Sequence, residues 1–143
     1  MASVSVSASL PTEPDKTWAA LSDLPHWEDW LTIHQAWKSE LPRDVTVGAR
    51  ITEVVSVMGM ANKIEWTIDE VNAPNRVKIS GVGMAGVTIE FVLSVEAEGA
   101  GSKATIDASF TGAMIVGPIG KAVAKNAKGD LETSLTKFAE LHG

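Results

Sequence analysis

The chain has 143 residues, no cysteine and a formal net charge of −6. Its length suits one domain, residues 1–143, large enough to bury a core without covalent staples. The lack of cysteine excludes disulfides, thiolate chemistry and cysteine-based zinc sites, and the acidic balance argues against nucleic acid, whose binding draws on phosphate neutralisation.

Residues 3–10 alternate strictly, with Val4, Val6, Ala8 and Leu10 on one face and serines on the other, which predicts a half-buried strand. In LPTEPDKTWAALSD a helix is expected, capped by Thr12, with Pro14 in its first turn and Trp18 and Leu21 on one face. The stretch PHWEDWLTIHQAW (25–37) holds three of the five tryptophans and two of the three histidines. A short second helix is expected over 25–30. Trp27 and Trp30, three residues apart, would share one face of it as a hydrophobic latch, leaving Glu28 and Asp29 in solvent.

From Ile33 the pattern has period two. Ile33, Gln35 and Trp37 share a face, which sets His34 outward. Ile51, Glu53, Val55 and Val57 form the next set, MGMANK (58–63) reads as a hairpin turn, and Ile64, Trp66 and Ile68 follow. NAPN (72–75) turns the chain, Val77 and Ile79 lead into a glycine-rich bend, and residues 87–95 alternate most cleanly. After EGAGSK come Ala104, Ile106, Ala108 and Phe110. From about Ile115 the spacing becomes helical. Ile119, Val123, Ala127, Leu131, Leu135 and Phe138 form one apolar ladder, with Gly129 a candidate bend. Lys121, Lys125 and Lys128 make a solvated stripe on this helix.

The order β–α–α–β6–α is an α+β arrangement in which an antiparallel sheet curls around a long terminal helix. This order, with the tryptophans after the first helix, resembles the START/Bet v 1-like (SRPBCC) superfamily, the helix-grip fold of polyketide cyclases, dehydrases and lipid-transport proteins. More narrowly, LPHWEDWLTIHQAW, GMANKIEWTI and GPIGKAV resemble an actinobacterial branch with members assigned as toxins of toxin–antitoxin pairs.

The resemblance implies an elongated apolar cavity between sheet and helix, the default place for a ligand. Inward parity puts Gln35, Trp37, Val55, Val57, Ile64, Trp66, Phe91 and Phe110 on its sheet side. Ile119 and Val123 would lie on its helix side, and Met84 or Met114 near a mouth. Glu53 shares inward parity and is the one candidate catalytic carboxyl, since desolvation makes an inward acid a base or a ligand hook. Glu65, Asp69, Glu90, Glu96 and Asp107 fall on outward parity. The first expectation is a binding protein for a lipid, polyketide or isoprenoid-like molecule. The alternatives are a toxin acting through an antitoxin-like protein partner, and a cyclase or dehydratase.

Two apparent motifs carry no chemistry. Gly81, Gly83 and Gly86 fit G-x-G-x-x-G, but a strand follows where a dinucleotide site needs a helix N-terminus. His26, His34 and His142 show no metal-ligand spacing, so no metal and no cofactor are expected. MASVSVSASL lacks the features of a signal peptide, and no apolar run approaches the ~20 residues of a membrane span. The expected protein is cytoplasmic, a monomer or weak homodimer.

Overall fold

The structure is a computed structural model and describes residues 2–41, 45–57, 59–83, 86–113 and 115–143, without the side chain of Val57. Its strands are β1 (Ala2–Leu10), β2 (His34–Trp37), β3 (Arg50–Val57), β4 (Met60–Asn72), β5 (Arg76–Val82), β6 (Thr88–Glu98) and β7 (Gly101–Thr111). Between β1 and β2 lie helix α1 (Pro14–Leu21) and a 3-10 helix (Leu24–Asp29), and helix α2 (Gly117–His142) follows β7. The seven strands form one antiparallel sheet in the order β1-β7-β6-β5-β4-β3-β2. It curls into a half-barrel that holds α2, so the helix-grip architecture that the element order and the family resemblance implied is the one observed.

Alternating residues decide which face of the sheet is dry. Ile64, Trp66 and Ile68 of β4, Val77 and Ile79 of β5, and Ile89, Phe91, Leu93 and Val95 of β6 are all buried on the concave side. Each strand therefore needs a cover, and α1, the 3-10 helix and α2 supply it. The hairpins are tighter than the turn-rich segments suggested. β4 already begins at Met60, and only Gly99 and Ala100 separate β6 from β7.

Two glycines are fixed by close approach. A β-carbon on Gly81 would lie 2.6 Å from Ile64 Cγ2 and 2.8 Å from Trp66 Cε3, so the empty side of β5 is what the Trp66 ring lies against. Gly81 and Trp66 are direct cross-strand partners. At Gly101 a β-carbon would stand 2.1 Å from the carbonyl oxygen of Leu10, where β7 meets the end of β1.

Helix α1 starts differently from expectation. Its N-cap is Glu13, without a side-chain cap bond. The Thr12 hydroxyl instead donates to the carbonyl of His142 at 2.5 Å, tying the entrance of α1 to the end of α2. Thr17, not Trp18, is buried with Leu21. Its hydroxyl meets Ser102 Oγ at 2.7 Å, and Ser102 Oγ also donates to the Thr12 carbonyl at 2.8 Å.

In α2 the dry face is Gly120, Val123, Leu131, Ser134, Leu135 and Phe138. Ile119, expected in the cavity wall, is 51% exposed. The reason is geometric. Steps of four residues advance about 40° beyond a full turn, so a strict i+4 ladder spirals, and Ile119 ends about 160° from Leu135. The helix runs unbroken through Gly129, which is exposed with open space around its Cα.

Candidate functional site

The tryptophan-rich stretch forms a packed latch on the end of α2. Trp27 and Trp30 are each 1% exposed. Trp30 meets Phe138 edge-on at 5.1 Å between centroids, and Trp27 contacts both Trp30 (6.1 Å) and Trp37 (5.6 Å). Each buried ring removes about 150–250 Å² from water, roughly 4–6 kcal/mol before ordering costs. The indole N–H groups of Trp27 and Trp37 donate to the carbonyls of Leu21 (3.0 Å) and Leu24 (3.1 Å). Just beyond the latch, Ser134 Oγ accepts from Thr32 N at 2.9 Å and lies 3.0 Å from Thr32 Oγ1, which fastens the chain entering β2 to α2. Glu28 and Asp29 are exposed.

Strand β2 departs from simple alternation. His34 pairs with Val55 but Ala36 pairs with Val54, so Gln35 is the extra residue of a bulge. The bulge turns Gln35 out into solvent and brings His34 and Trp37 to the same side. Gln35 is therefore not an inward polar group. His34, expected outward, is the inward one, its side chain only 2% exposed.

Its partner is Glu53. That carboxyl is 0% exposed, and both oxygens are engaged: Trp66 Nε1 donates to Oε1 at 2.9 Å, and His34 Nδ1 meets Oε2. Three strands thus contribute one polar cluster, with β3 supplying the acid, β4 the indole and β2 the imidazole. Sequence parity pointed to Glu53 and Trp66. His34 was missed because a bulge leaves no mark in hydrophobic alternation.

An apolar cavity lies between the sheet and α2. Val55, Trp66, Phe91, Phe110 and Val123, all named from parity, line it together with Ile33, Ile89, Ala127 and Leu131. Its polar lining residues are Ser56, Asn126 and Asp130. The space open to the centre of a water-sized sphere is about 20 Å³, room for a water or two rather than a lipid. Ile64 is buried beside Trp66 without lining this cavity, and Trp37 sits in the latch. Met84, Met114 and the side chain of Val57 lie outside the described residues.

Glu53 is not among the lining residues either, although Trp66, which donates to it, is. Asp130 is half-buried, and desolvation raises its carboxyl above the ordinary value of 3.8. Among the described residues no three metal-ligating side chains come together, and no helix is long and apolar enough to cross a membrane.

A family model described as "Polyketide cyclase / dehydrase and lipid transport" matches residues 1–143. The chain belongs to this family. Within the polyketide cyclase/dehydrase and lipid-transport family, similar curated proteins come from Mycobacterium tuberculosis. The uncharacterized protein Rv1546 is 38% identical over 143 residues, covering 100% of both chains. The protein named "Toxin Rv0910" is 36% identical over 138 residues, 96% of each. Among solved structures, a START superfamily protein from Mycobacterium smegmatis superposes with a TM-score of 0.79 at 14% identity, over 98% of this chain and 96% of that one. TTHA0849 from Thermus thermophilus gives 0.79 at 18% identity, over 96% and 94%. At such identities these structures speak for the fold the family shares.

Proposed function

We propose that the protein binds a small hydrophobic molecule, of lipid, polyketide or isoprenoid type, between the sheet and α2. The observation that carries this reading is an apolar cavity walled by three aromatic rings of the sheet, Trp66, Phe91 (5.2 Å apart) and Phe110, and by Val123 and Leu131 of the helix. Membership of a family whose description includes lipid transport adds to it. The cavity as it stands is smaller than such a ligand, so binding requires the walls to part. Native mass spectrometry of protein purified without detergent tests the reading. A retained hydrophobic adduct, or saturable uptake of a fluorescent apolar probe, is expected; apo protein that takes up no apolar probe would sink it.

A second reading is favoured by one comparison, the relative named as a toxin across 96% of this chain. On that reading the protein arrests growth until an antitoxin-like protein binds it. Induced expression in a related host checks this, and normal growth would remove it. Catalysis of cyclase or dehydratase type draws less support, because Glu53, the acid proposed for it, already has both oxygens engaged away from the cavity.

A further inference from the structure

We propose that the cavity discriminates by the polar end of its ligand, accepting apolar molecules with a neutral or cationic hydrogen-bond-donating head, such as an alcohol or amine, over those ending in a carboxylate. This rests on the ligand-binding reading above and adds a chemical class to it. Apart from Ser56, Asn126 and Asp130, the lining residues are apolar. Ser56 and Asp130 are half-buried and Asn126 is exposed, whereas every apolar lining residue except Ala127 is buried. The polar side of the cavity is therefore the side that meets solvent, where an amphiphile leaves its head while its tail goes inward.

The charge at that rim has one sign. Asp130 is the single ionisable residue among those lining the cavity, and among the described residues no lysine, arginine or histidine lines it. The helix that carries Asp130 has four lysines, all exposed, and none lines the cavity. At about 100° and 1.5 Å per residue, Lys121, Lys125 and Lys128 stand about 140–180° round α2 from Asp130, while Lys137 shares its side but lies about 10 Å farther along the axis. Lys128 faces Glu132 at 3.9 Å. A carboxylate head would bring a second anion to a partly desolvated first one with no lining cation to share. A hydroxyl or ammonium would donate to Asp130 instead. The net charge of −6 adds repulsion of the same sign.

The test uses three ligands with one tail: dodecanol, dodecylammonium and dodecanoate, each below its micelle concentration at pH 7.5. Each displaces a neutral environment-sensitive dye from the full-length protein. Dodecanoate is expected to bind about tenfold or more weakly than dodecanol, the scale of a like-charge contact at a partly wetted rim. In Asp130→Asn that gap closes to within about threefold as the like-charge contact is removed, and Asp130→Ser serves as a second variant should the first fold poorly. Dodecanoate binding as tightly as dodecanol, or a gap that persists in both variants, overturns the proposal and leaves the ligand-binding reading standing. Failure of all three ligands to bind overturns both.

Discussion

Replacing Glu53 by alanine removes the acceptor of Trp66 Nε1 and the partner of His34 Nδ1 in a site almost closed to water. Each buried polar group stranded in this way costs about 1–3 kcal/mol. Two of them, together with the small void left by the lost side chain, put the destabilisation near 4 kcal/mol. The entropy of unfolding, about 2.1 cal/mol/K per residue, comes to about 0.3 kcal/mol/K for a chain of this length. Glu53→Ala should therefore melt about 13 °C below the parent, and Glu53→Gln, which keeps the volume and one acceptor, should lose about half as much. Thermal unfolding followed by far-ultraviolet circular dichroism measures both. If Glu53→Ala melts within about 3 °C of the parent, the cluster does not hold the three strands together and the reasoning fails.

Gly81→Ala should be destabilising by about 1–3 kcal/mol, because the new methyl overlaps Ile64 and the Trp66 ring; a shift in Trp66 emission together with a lower denaturation midpoint checks it. Gly129→Ala should be stabilising by about 0.5–1 kcal/mol, since the position is helical, exposed and uncrowded. A midpoint that falls would show that the glycine meets a need the packing does not reveal. For Asp130 the sign follows from its raised carboxyl. The protonated form is the one the fold favours, so its contribution is complete below the unfolded value near 3.8 and is lost as pH rises through the folded value. Asp130→Asn should thus gain stability over the parent at pH 7 but not at pH 3, and an equal difference at both would refute the assignment.

Most of the fold could be read from alternation, because each strand buries one face and α2 carries a recognisable stripe. What escaped has identifiable causes. The bulge at Gln35 adds a residue whose only trace is a shifted register, so parity named Gln35 as inward and His34 as outward. Ile119 leaves the dry face because a spacing of four residues drifts round a helix that turns every 3.6. For the candidate site, Glu53 stood out as an acid on apolar parity. Its partners could not be foreseen, since Trp66 lies 13 and His34 19 positions away, and only the pairing of β2 and β4 with β3 brings them together. The polar rim of Ser56, Asn126 and Asp130 left no signal, because which polar residues of a helix reach a cavity edge depends on how that helix is rotated over the sheet.

The pairing of β1 has a consequence for biosynthesis. Ala2 sits opposite Phe110, 108 residues later in the chain, and α2, which also packs on β1, comes later still. At about 5–20 residues per second a ribosome takes roughly 5–20 s to deliver β7 after β1. During that time β1 is a strand without a neighbour, the state most prone to pair with the wrong chain. Its sequence suits the wait: serines at 3, 5, 7 and 9 fill one whole face, and Ala2 and Ala8 keep the other small. The serine row is then a property of the nascent chain as much as of the folded one, reducing the stickiness of the strand that waits longest for its partner.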